Sequence, residues 1–333
     1  MKSIKILALA TFLTMLIHSA IAQVKINGFL QYMYRADLKE NKVEGNFTPG
    51  TMNLKFSGSL DKNVRWEVQF GIKETSFNKF LKDYYIEIVD LFPNIKGLKF
   101  RFGQFKYLWS VERNESSSDR KTILRSQVVS ALVADRDRGI EISYSGIESL
   151  HLAIGLWNGE VVFRNHGTIF ETIDYTRNLD DSDARKDIAG FIGYELKFND
   201  ENFVALNGSF LFGSNGRMNI RDKKRYGLGV DAFFVNKNLH FRSELVSGND
   251  DEIKKFGYYL QVSYRFFDYF EPVFKYEIWD NDLNATGESN WFTFGIYSKI
   301  LKNVVFRVNY VKKDEKPIEI RNDELMFMIQ TTF

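Results

Sequence analysis

The segment from Tyr107 to Ala134, taken with its two ends, is mildly basic and carries side chains that could bind anions. The segment does not alternate apolar and polar residues, and loops longer than about 15 residues are usually functional or disordered. Its basic residues, with those that flank it, are Lys106, Arg113, Arg120, Lys121, Arg125, Arg136 and Arg138. Because guanidinium forks match tetrahedral oxyanions, such a cluster can favour phosphate-like anions.

Acidic residues lie in the same stretch, so a second interpretation stays open. They are Glu112, Glu115, Asp119, Asp135 and Asp137. Pairing of these carboxylates with the neighbouring bases would hold the segment against a wall of the protein. The pattern therefore predicts either an anion-selective site or a set of structural ion pairs.

Metal and nucleophilic chemistry have little support in the sequence. Cysteine is absent, and His151, His166 and His240 stand in no metal-ligand spacing. Neither a phosphate-binding Gly-rich loop nor a G-x-S-x-G motif occurs. The acidic runs at 180–183 and 249–252 could bind a hard cation, but they do not form a complete ligand loop. We therefore expect no metal, no cofactor and no enzymatic activity.

The N-terminus has the pattern of a secretory signal. Lys2 and Lys5 precede a short apolar run at 6–17, and Ala20-Ile21-Ala22 is an A-x-A cleavage site. An uncleaved anchor helix is the alternative, although the run is too short to span a bilayer. Removal of residues 1–22 leaves 43 basic and 43 acidic residues, because both lysines belong to the signal. A mature chain with a net charge near zero argues against nucleic acid as a partner.

The rest of the chain alternates apolar and polar residues with a period of two. In Asn63–Lys73 one row is Val64, Trp66, Val68, Phe70 and Ile72, and the other is Arg65, Glu67, Gln69, Gly71 and Lys73. Segments of roughly 10 residues with this pattern, joined alternately by short turns and longer loops, are typical of membrane β-barrels. A soluble sandwich would bury the apolar row in a core instead.

We predict an all-β fold, a transmembrane antiparallel barrel of about 16 strands, with 14 or 18 strands as alternatives. The predicted strands are 24–37, 50–61, 63–74, 78–89, 97–107, 136–145, 149–158, 186–198, 202–213, 224–235, 239–248, 254–266, 270–280, 290–300, 303–313 and 322–333. The last strand alternates from Leu325 to a terminal Phe333, as closing strands of outer-membrane barrels commonly do. Residues 23–333 then form one domain.

The polar rows of the predicted strands carry further bases, which a barrel would turn toward its lumen. They are Arg65, Lys99, Arg101, Arg242, Arg265 and Arg307. Acids such as Glu67, Glu87 and Glu244 stand in the same rows. Bases and acids on neighbouring strands can brace the wall, or single bases can contribute to ion selectivity.

Several short runs resemble the phosphate-selective porin O and P family. They are Gly103-Gln104-Phe105-Lys106, Glu112, Ser116-Ser117-Ser118-Asp119, Ile123, Arg125-Ser126, Asp135-Arg136-Asp137-Arg138-Gly139-Ile140 and the opening Val24–Phe29. The resemblance covers nearly the whole mature chain. It implies a homotrimeric, 16-stranded channel for small anions such as phosphate in the outer membrane of a Gram-negative bacterium. It also implies that residues 107–134 fold into the lumen as a constriction loop, with Arg120, Lys121 and Arg125 near the narrowest point.

Two other functions are compatible with the sequence. The barrel could be a subunit of a larger outer-membrane assembly, with its lumen blocked. It could also be an outer-membrane hydrolase, since His166 lies in a long predicted loop with Asp174 and Asp180 nearby.

Overall fold

The computed structural model describes residues 24–39, 42–72, 81–133, 136–159, 185–215, 220–267, 269–285 and 287–333. The predicted signal peptide lies outside these ranges. So do His166, Asp174 and the acidic run at 180–183, which the hydrolase hypothesis requires.

Sixteen antiparallel strands close into a barrel in which each strand pairs with its neighbours in sequence and β1 pairs with β16. The strands are β1 (Lys25–Lys39), β2 (Lys42–Ser59), β3 (Val64–Ile72), β4 (Leu81–Val89), β5 (Leu98–Phe105), β6 (Asp137–Tyr144), β7 (Leu150–Trp157), β8 (Asp187–Lys197), β9 (Phe203–Asn215), β10 (Ile220–Phe234), β11 (Leu239–Asp250), β12 (Ile253–Tyr264), β13 (Glu271–Asp280), β14 (Glu288–Leu301), β15 (Val304–Glu315) and β16 (Asp323–Thr332). The predicted fold class and strand count are confirmed.

The alternation with a period of two places successive side chains on opposite sides of the barrel wall, as the sequence predicted. Along β11, His240, Arg242 and Glu244 are buried on the inner side. Leu245, which follows Glu244, is 39% exposed on the outer side. Since side chains alternate across a strand, one apolar row per strand faces outward around the barrel. The inner side carries many polar and charged groups, together with buried apolar residues such as Val246 and Trp279.

The chain ends close the barrel. The main chain of Phe333 exchanges two hydrogen bonds with Gly28 of β1, at 2.9 and 3.0 Å. The Phe333 ring lies over Gly28, and a Cβ at that position would lie 2.5 Å from the ring. Only glycine therefore fits beneath the terminal aromatic side chain. We call this end of the barrel the termini end.

The second strand is longer than predicted. It begins at Lys42, whereas the sequence pattern placed its start at residue 50. The pairing with β1 shifts register between Leu30 and Tyr32, opposite Met52 and Pro49, which indicates a bulge. A bulge inserts an extra residue and reverses the inward and outward parity, so the alternation is broken in the sequence although the strand continues.

The barrel wall has an uneven height. Strands β5, β6 and β7 have 8 residues each, whereas β1 and β10 have 15 and β2 has 18. The segment between β5 and β6 lies inside the barrel and contains two short helices, α1 (Val111–Asn114) and α2 (Gln127–Leu132). We call residues 106–133 the inner loop. In the described ranges, no helix has both the length and the apolar character needed to cross a membrane.

Candidate functional site

The inner loop is held by an apolar core that lies inside the barrel. Loop residues Tyr107, Trp109, Val128 and Val129 are at most 2% exposed. They pack with wall residues that include Trp157, Val246, Tyr259 and Trp279. Tyr107 stacks on Trp157 with ring centroids 4.2 Å apart. Burial of each large side chain contributes roughly 1.5–3 kcal/mol, so this contact fixes the loop on one side of the lumen.

Two wall glycines make room for this core. A Cβ on Gly227 of β10 would lie 2.9 Å from Cη2 of Trp109. A Cβ on Gly257 of β12 would lie 2.8 Å from Cβ of Val128. The absence of side chains at these two inward positions lets the loop approach the wall closely, which leaves more of the lumen open on the opposite side.

A wall carboxylate receives the start of α1. Glu244 accepts hydrogen bonds from the backbone N–H groups of Val111 (2.8 Å) and Glu112 (3.0 Å) and from the Ser110 hydroxyl (3.0 Å). The Tyr259 hydroxyl donates to the same carboxylate at 2.9 Å. A negative charge at the first backbone N–H groups of a helix satisfies donors that have no partner within the helix.

The start of α2 is held in the same manner by two carboxylates. Glu277 of β13 accepts from the backbone N–H of Gln127 at 2.7 Å. Glu112, from the loop itself, accepts from the backbone N–H and the hydroxyl of Ser126. The other end of α2 is held by Arg113, whose guanidinium donates to the carbonyl oxygens of Val129 and Val133. Arg113 therefore acts as a structural clamp inside the loop.

The tip of the inner loop is tied to β15, β16 and β1. Arg307 is 0% exposed and donates to the carbonyl oxygens of Ser118 (2.6 Å) and Arg120 (2.7 Å). Gln330 and Gln31 donate to the carbonyls of Ser118 and Ser117, respectively. The loop thus runs along the inner wall from β7 through β16 to β1. Open space remains on the side of β2 to β6.

That open space is a polar cavity of about 780 Å³ between the inner loop and the short-stranded wall. It extends from Phe333 and Lys99 at the termini end to Arg136 beside the loop. Seven basic side chains line it, namely Lys55, Lys82, Lys99, Lys106, Arg101, Arg125 and Arg136. Four acidic side chains line it, namely Glu67, Asp83, Asp119 and Glu141. Among the residues described, positive charge is therefore in excess.

Some of the bases predicted for the constriction reach this cavity. Lys106, Arg125 and Arg136 line it. Lys106 donates to the carbonyls of Arg113 and Glu115, and Arg125 donates to the carbonyl of Glu112. Arg136 is buried and binds Asp83 with two hydrogen bonds of 2.8 Å.

The other predicted bases lie elsewhere. The Lys121 ammonium lies 2.8 Å from Glu271 on the opposite wall. Arg120 does not line the cavity, and its Nε is buried. Arg138 stands on the outward row of β6, where it donates to Gln104 and faces the Tyr84 ring at 5.9 Å. Sequence reasoning placed Arg138 with the constriction, whereas its strand parity turns it away from the lumen.

The basic residues predicted to face the lumen from the strands differ in how closely they approach an acidic partner. Arg101 binds Glu87 at 2.5 Å, and Arg242 binds Asp231 and Glu115 at 3.0 and 2.8 Å. Arg265 follows the end of β12, is half-buried, and lies 3.7 Å from Glu271.

A cross-strand row on β3 to β6 explains part of this pairing. The register aligns Arg65, Glu87, Arg101 and Glu141, so that positive and negative charges alternate across four neighbouring strands. Such alternation braces a wall. Lys99, nearer the termini end, makes no ion pair with a residue that the structure describes, and its charge faces the cavity.

The charge state of the inner loop follows from burial and neighbouring groups. Burial alone would raise the pKa of the Glu112 carboxyl, but Lys275, Arg125 and the Ser126 hydrogen bond together hold that pKa below its usual range. Burial lowers the pKa of Lys121 in spite of its ion pair with Glu271. Glu112 is therefore ionised at neutral pH, as its role at the start of α2 requires.

Sequence reasoning missed several lining residues. Lys55 and Lys82 were not singled out, although Lys55 stands on the polar row of a predicted strand and could have been found from parity. Lys82 lies where the pairing of β3 with β4 shifts register, so the alternation of residues does not predict which side of the wall its side chain faces. The roles of Glu244 and Glu277 as loop anchors depend on which strands meet the loop, and no local pattern reports this.

The candidate cation run at 249–252 has a different explanation. Asp250 is buried and lies 2.6 Å from Arg225 and 2.7 Å from Lys255. The Asp251 carboxylate accepts two backbone N–H groups from the facing strand end. Within the described part of the chain, no group of three or more His, Cys, Asp or Glu side chains could hold a metal ion.

Comparison with known proteins gives a likeness of structure only. No protein-family model matches the sequence, and no curated protein matches it. The high-pH structure of OprB from Pseudomonas putida is 10% identical, covers 96% of both chains and has a TM-score of 0.66. An anion-selective porin from Comamonas acidovorans is 12% identical, with 93% of this chain and 99% of that chain covered at a TM-score of 0.64. The outer membrane channel DcaP of Acinetobacter baumannii is 12% identical, with coverages of 93% and 97% and a TM-score of 0.64. At these identities the comparisons show the fold, a 16-strand barrel like that of outer-membrane porins.

Proposed function

We propose that the chain is a porin of the outer membrane of a Gram-negative bacterium, exported by the signal at 1–22. It lets small hydrophilic solutes diffuse through the lumen and prefers anions, phosphate among them. The observation that carries this proposal is the cavity beside the inner loop, with seven basic against four acidic side chains. The earlier resemblance to the phosphate-selective porin O and P family supports the same function.

The outer face of the barrel supports a lipid environment. Large apolar side chains on the outward rows are widely exposed, among them Ile192 (53%), Leu228 (65%) and Phe294 (53%). Contiguous exposed apolar surface of this extent is unfavourable in water and favourable against acyl chains. In that orientation the termini end faces the periplasm.

The size of the anion preference can be bounded from Coulomb's law. A unit charge acts on an ion 4 Å away by about 1 kcal/mol in bulk water, which is roughly a fivefold change in local concentration. Screening at physiological salt limits each base to a range of about 8 Å. The excess positive charge should thus favour anions severalfold at low salt, with a weaker preference as salt rises.

Reversal potentials in planar bilayers test the preference. The triple variant Lys99→Gln, Lys106→Gln, Arg125→Gln removes three charges that line the cavity and should shift selectivity toward cations. A matched control removes three outward lysines with Lys224→Gln, Lys254→Gln, Lys312→Gln and should leave selectivity unchanged. Equal reversal potentials for the wild type and the cavity variant would refute the assignment, and asymmetric phosphate and chloride solutions measure the preference for phosphate.

A homotrimer is part of the proposal. An 8-residue strand tilted by about 45° spans about 19 Å, less than the apolar band of roughly 25 Å on outer-membrane barrels. Contact between copies along β5 to β7 would cover this low wall, on which Arg138 also faces outward. Native mass measurement in detergent should give three chains, and a monomer would contradict this part.

A barrel with a blocked lumen, serving as a subunit of a larger assembly, is the second candidate. The apolar cores of the inner loop favour it, because they fill one side of the lumen with buried side chains. Single-channel recording of the purified chain separates the two functions. A stable, voltage-independent current supports the porin, whereas an insulating barrel that co-purifies with other subunits supports the assembly.

A further inference from the structure

The cavity lining combines separate cations with uncharged hydrogen-bonding groups, and this combination points to a class of solute. We propose that the channel preferentially binds anionic polyhydroxy compounds, such as sugar acids, over small inorganic anions. This inference rests on the proposed function, since it names the solutes of the same cavity.

The bases of the cavity are poorly arranged for a tetrahedral oxyanion. Arg101 uses Nε and Nη2 on Glu87, at 3.0 and 2.5 Å, and Arg136 uses the same two nitrogens on Asp83. In these two of the three cavity arginines, the Nε and Nη2 groups that would bind an oxyanion with two parallel hydrogen bonds are therefore engaged by wall carboxylates, and the third, Arg125, uses Nη1 on the Glu112 carbonyl. Four of the seven cavity bases are lysines, which attract anions as point charges without selecting their shape.

The opposite side of the cavity is formed by a hydroxyl- and amide-bearing edge of the inner loop. Asn114, Ser116, Ser117 and Ser118 line the cavity there. Ser116 and Ser118 exchange a hydrogen bond of 2.7 Å, while the side chains of Asn114 and Ser117 bind no residue in the described ranges. Such groups both donate and accept, and so can bind a solute hydroxyl in either sense. A bare anion uses only their donors.

Size agrees with this chemistry. A cavity of about 780 Å³ falls within the range of roughly 300–1,000 Å³ that encloses small organic ligands. It is larger than a single oxyanion requires. The carboxylates of Glu67 and Asp119 can also accept hydrogen bonds from solute hydroxyls. The same carboxylates would repel a second negative charge on the solute. One negative charge with several hydroxyl groups therefore matches the lining best.

Current block by four probes tests the inference with the intact protein in planar bilayers. The probes are glucuronate, acetate, inorganic phosphate and glucose, so that charge and hydroxyl groups are varied separately. Glucuronate should reduce the channel current half-maximally at a concentration at least tenfold lower than any of the other three. Equal half-maximal concentrations for glucuronate, acetate and phosphate would overturn the inference.

Variants locate the binding. Asn114→Ala, Ser116→Ala, Ser117→Ala together should raise the half-maximal glucuronate concentration about fivefold or more and leave the reversal potential unchanged. The control Ser247→Ala, Asn249→Ala, Thr331→Ala changes outward side chains and should have no effect. If the loop variant does not insert, Lys99→Gln serves instead and should weaken block by glucuronate but not by glucose. If the wild type shows no preference for anions, the proposed function is refuted. If it prefers anions but does not prefer glucuronate among them, only this inference is refuted.

Discussion

Replacement of Glu244 should loosen the inner loop without opening the barrel. Its two carboxylate oxygens accept four hydrogen bonds, two of them from backbone N–H groups at the start of α1. Glu244→Ala leaves these two backbone donors buried without a partner, at about 1–3 kcal/mol each. The two hydroxyl donors can rotate toward other acceptors. The expected loss of loop anchoring is therefore about 2–6 kcal/mol.

The isosteric change should have a smaller effect. In Glu244→Gln one amide oxygen still accepts hydrogen bonds, but the amide nitrogen must face at least one of the former donors. We expect one unpaired donor to weaken the anchoring of the loop by about 1–3 kcal/mol. The remaining hydrogen bonds are also weaker, because the amide acceptor is uncharged. The apolar core around Trp109 and Val128 remains in both variants, so the loop should detach transiently.

Single-channel recording measures this detachment directly. Wild type should give a quiet open level, Glu244→Gln more current noise, and Glu244→Ala frequent steps between two conductance levels. Glu195→Gln is the matched control, because Glu195 lies on the inner side of β8 beside Lys197 and away from the loop anchors. If Glu244→Ala gives a folded barrel with the noise and conductance of wild type, the carboxylate does not hold the loop.

Three further predictions concern the loop and the closure of the barrel. Gly257→Val should displace the inner loop from β12 toward the cavity and lower single-channel conductance, whereas Gly208→Ala, whose added Cβ has 3.5 Å to its nearest neighbour, should not. The Glu112 carboxyl has a depressed pKa in the folded protein, so its stabilising effect on α2 is present above its ordinary pKa of 4.5 and is lost as pH falls through the lower folded value. Channel noise should therefore rise on acidification below 4.5, and Glu112→Gln should be noisy at every pH; a variant as quiet as wild type at pH 7 contradicts the role. Gly28→Val should drive the Phe333 ring from its place and lower the midpoint of heat unfolding, measured by the shift in gel mobility of unheated samples, and an unchanged midpoint contradicts the steric argument.

The charged residues that line the cavity differ in whether their charge is paired within the wall or faces the solute. Arg136 and Asp83 form a buried pair with two hydrogen bonds, and removal of one partner from such a pair costs about 3–5 kcal/mol. Lys99 faces the same cavity without an ion pair among the residues described. We therefore expect substitutions of Arg136 to affect stability first, and substitutions of Lys99 to affect selectivity first.

Local pattern in the sequence determined the barrel. Alternation with a period of two assigns each strand residue to one of two sides, and this rule needs no knowledge of distant contacts. It gave sixteen strands with bounds close to those observed except at the start of β2, and it placed Arg101, Arg242 and Arg307 on the inner side. It failed at Pro49, where a bulge reverses the parity within one strand.

Only the tertiary structure decided what the bases near the inner loop do. Lys106, Arg125 and Lys121 belong to one segment of the chain, yet the first two line the cavity and the third binds Glu271 on the opposite wall. The irregular loop has no repeating period that could report the direction of a side chain. Its path is set instead by contacts with strands more than a hundred positions away, such as that of Ser110 with Glu244. Side-chain direction in a strand is a local property of the backbone, whereas in this loop it follows from packing against the whole barrel.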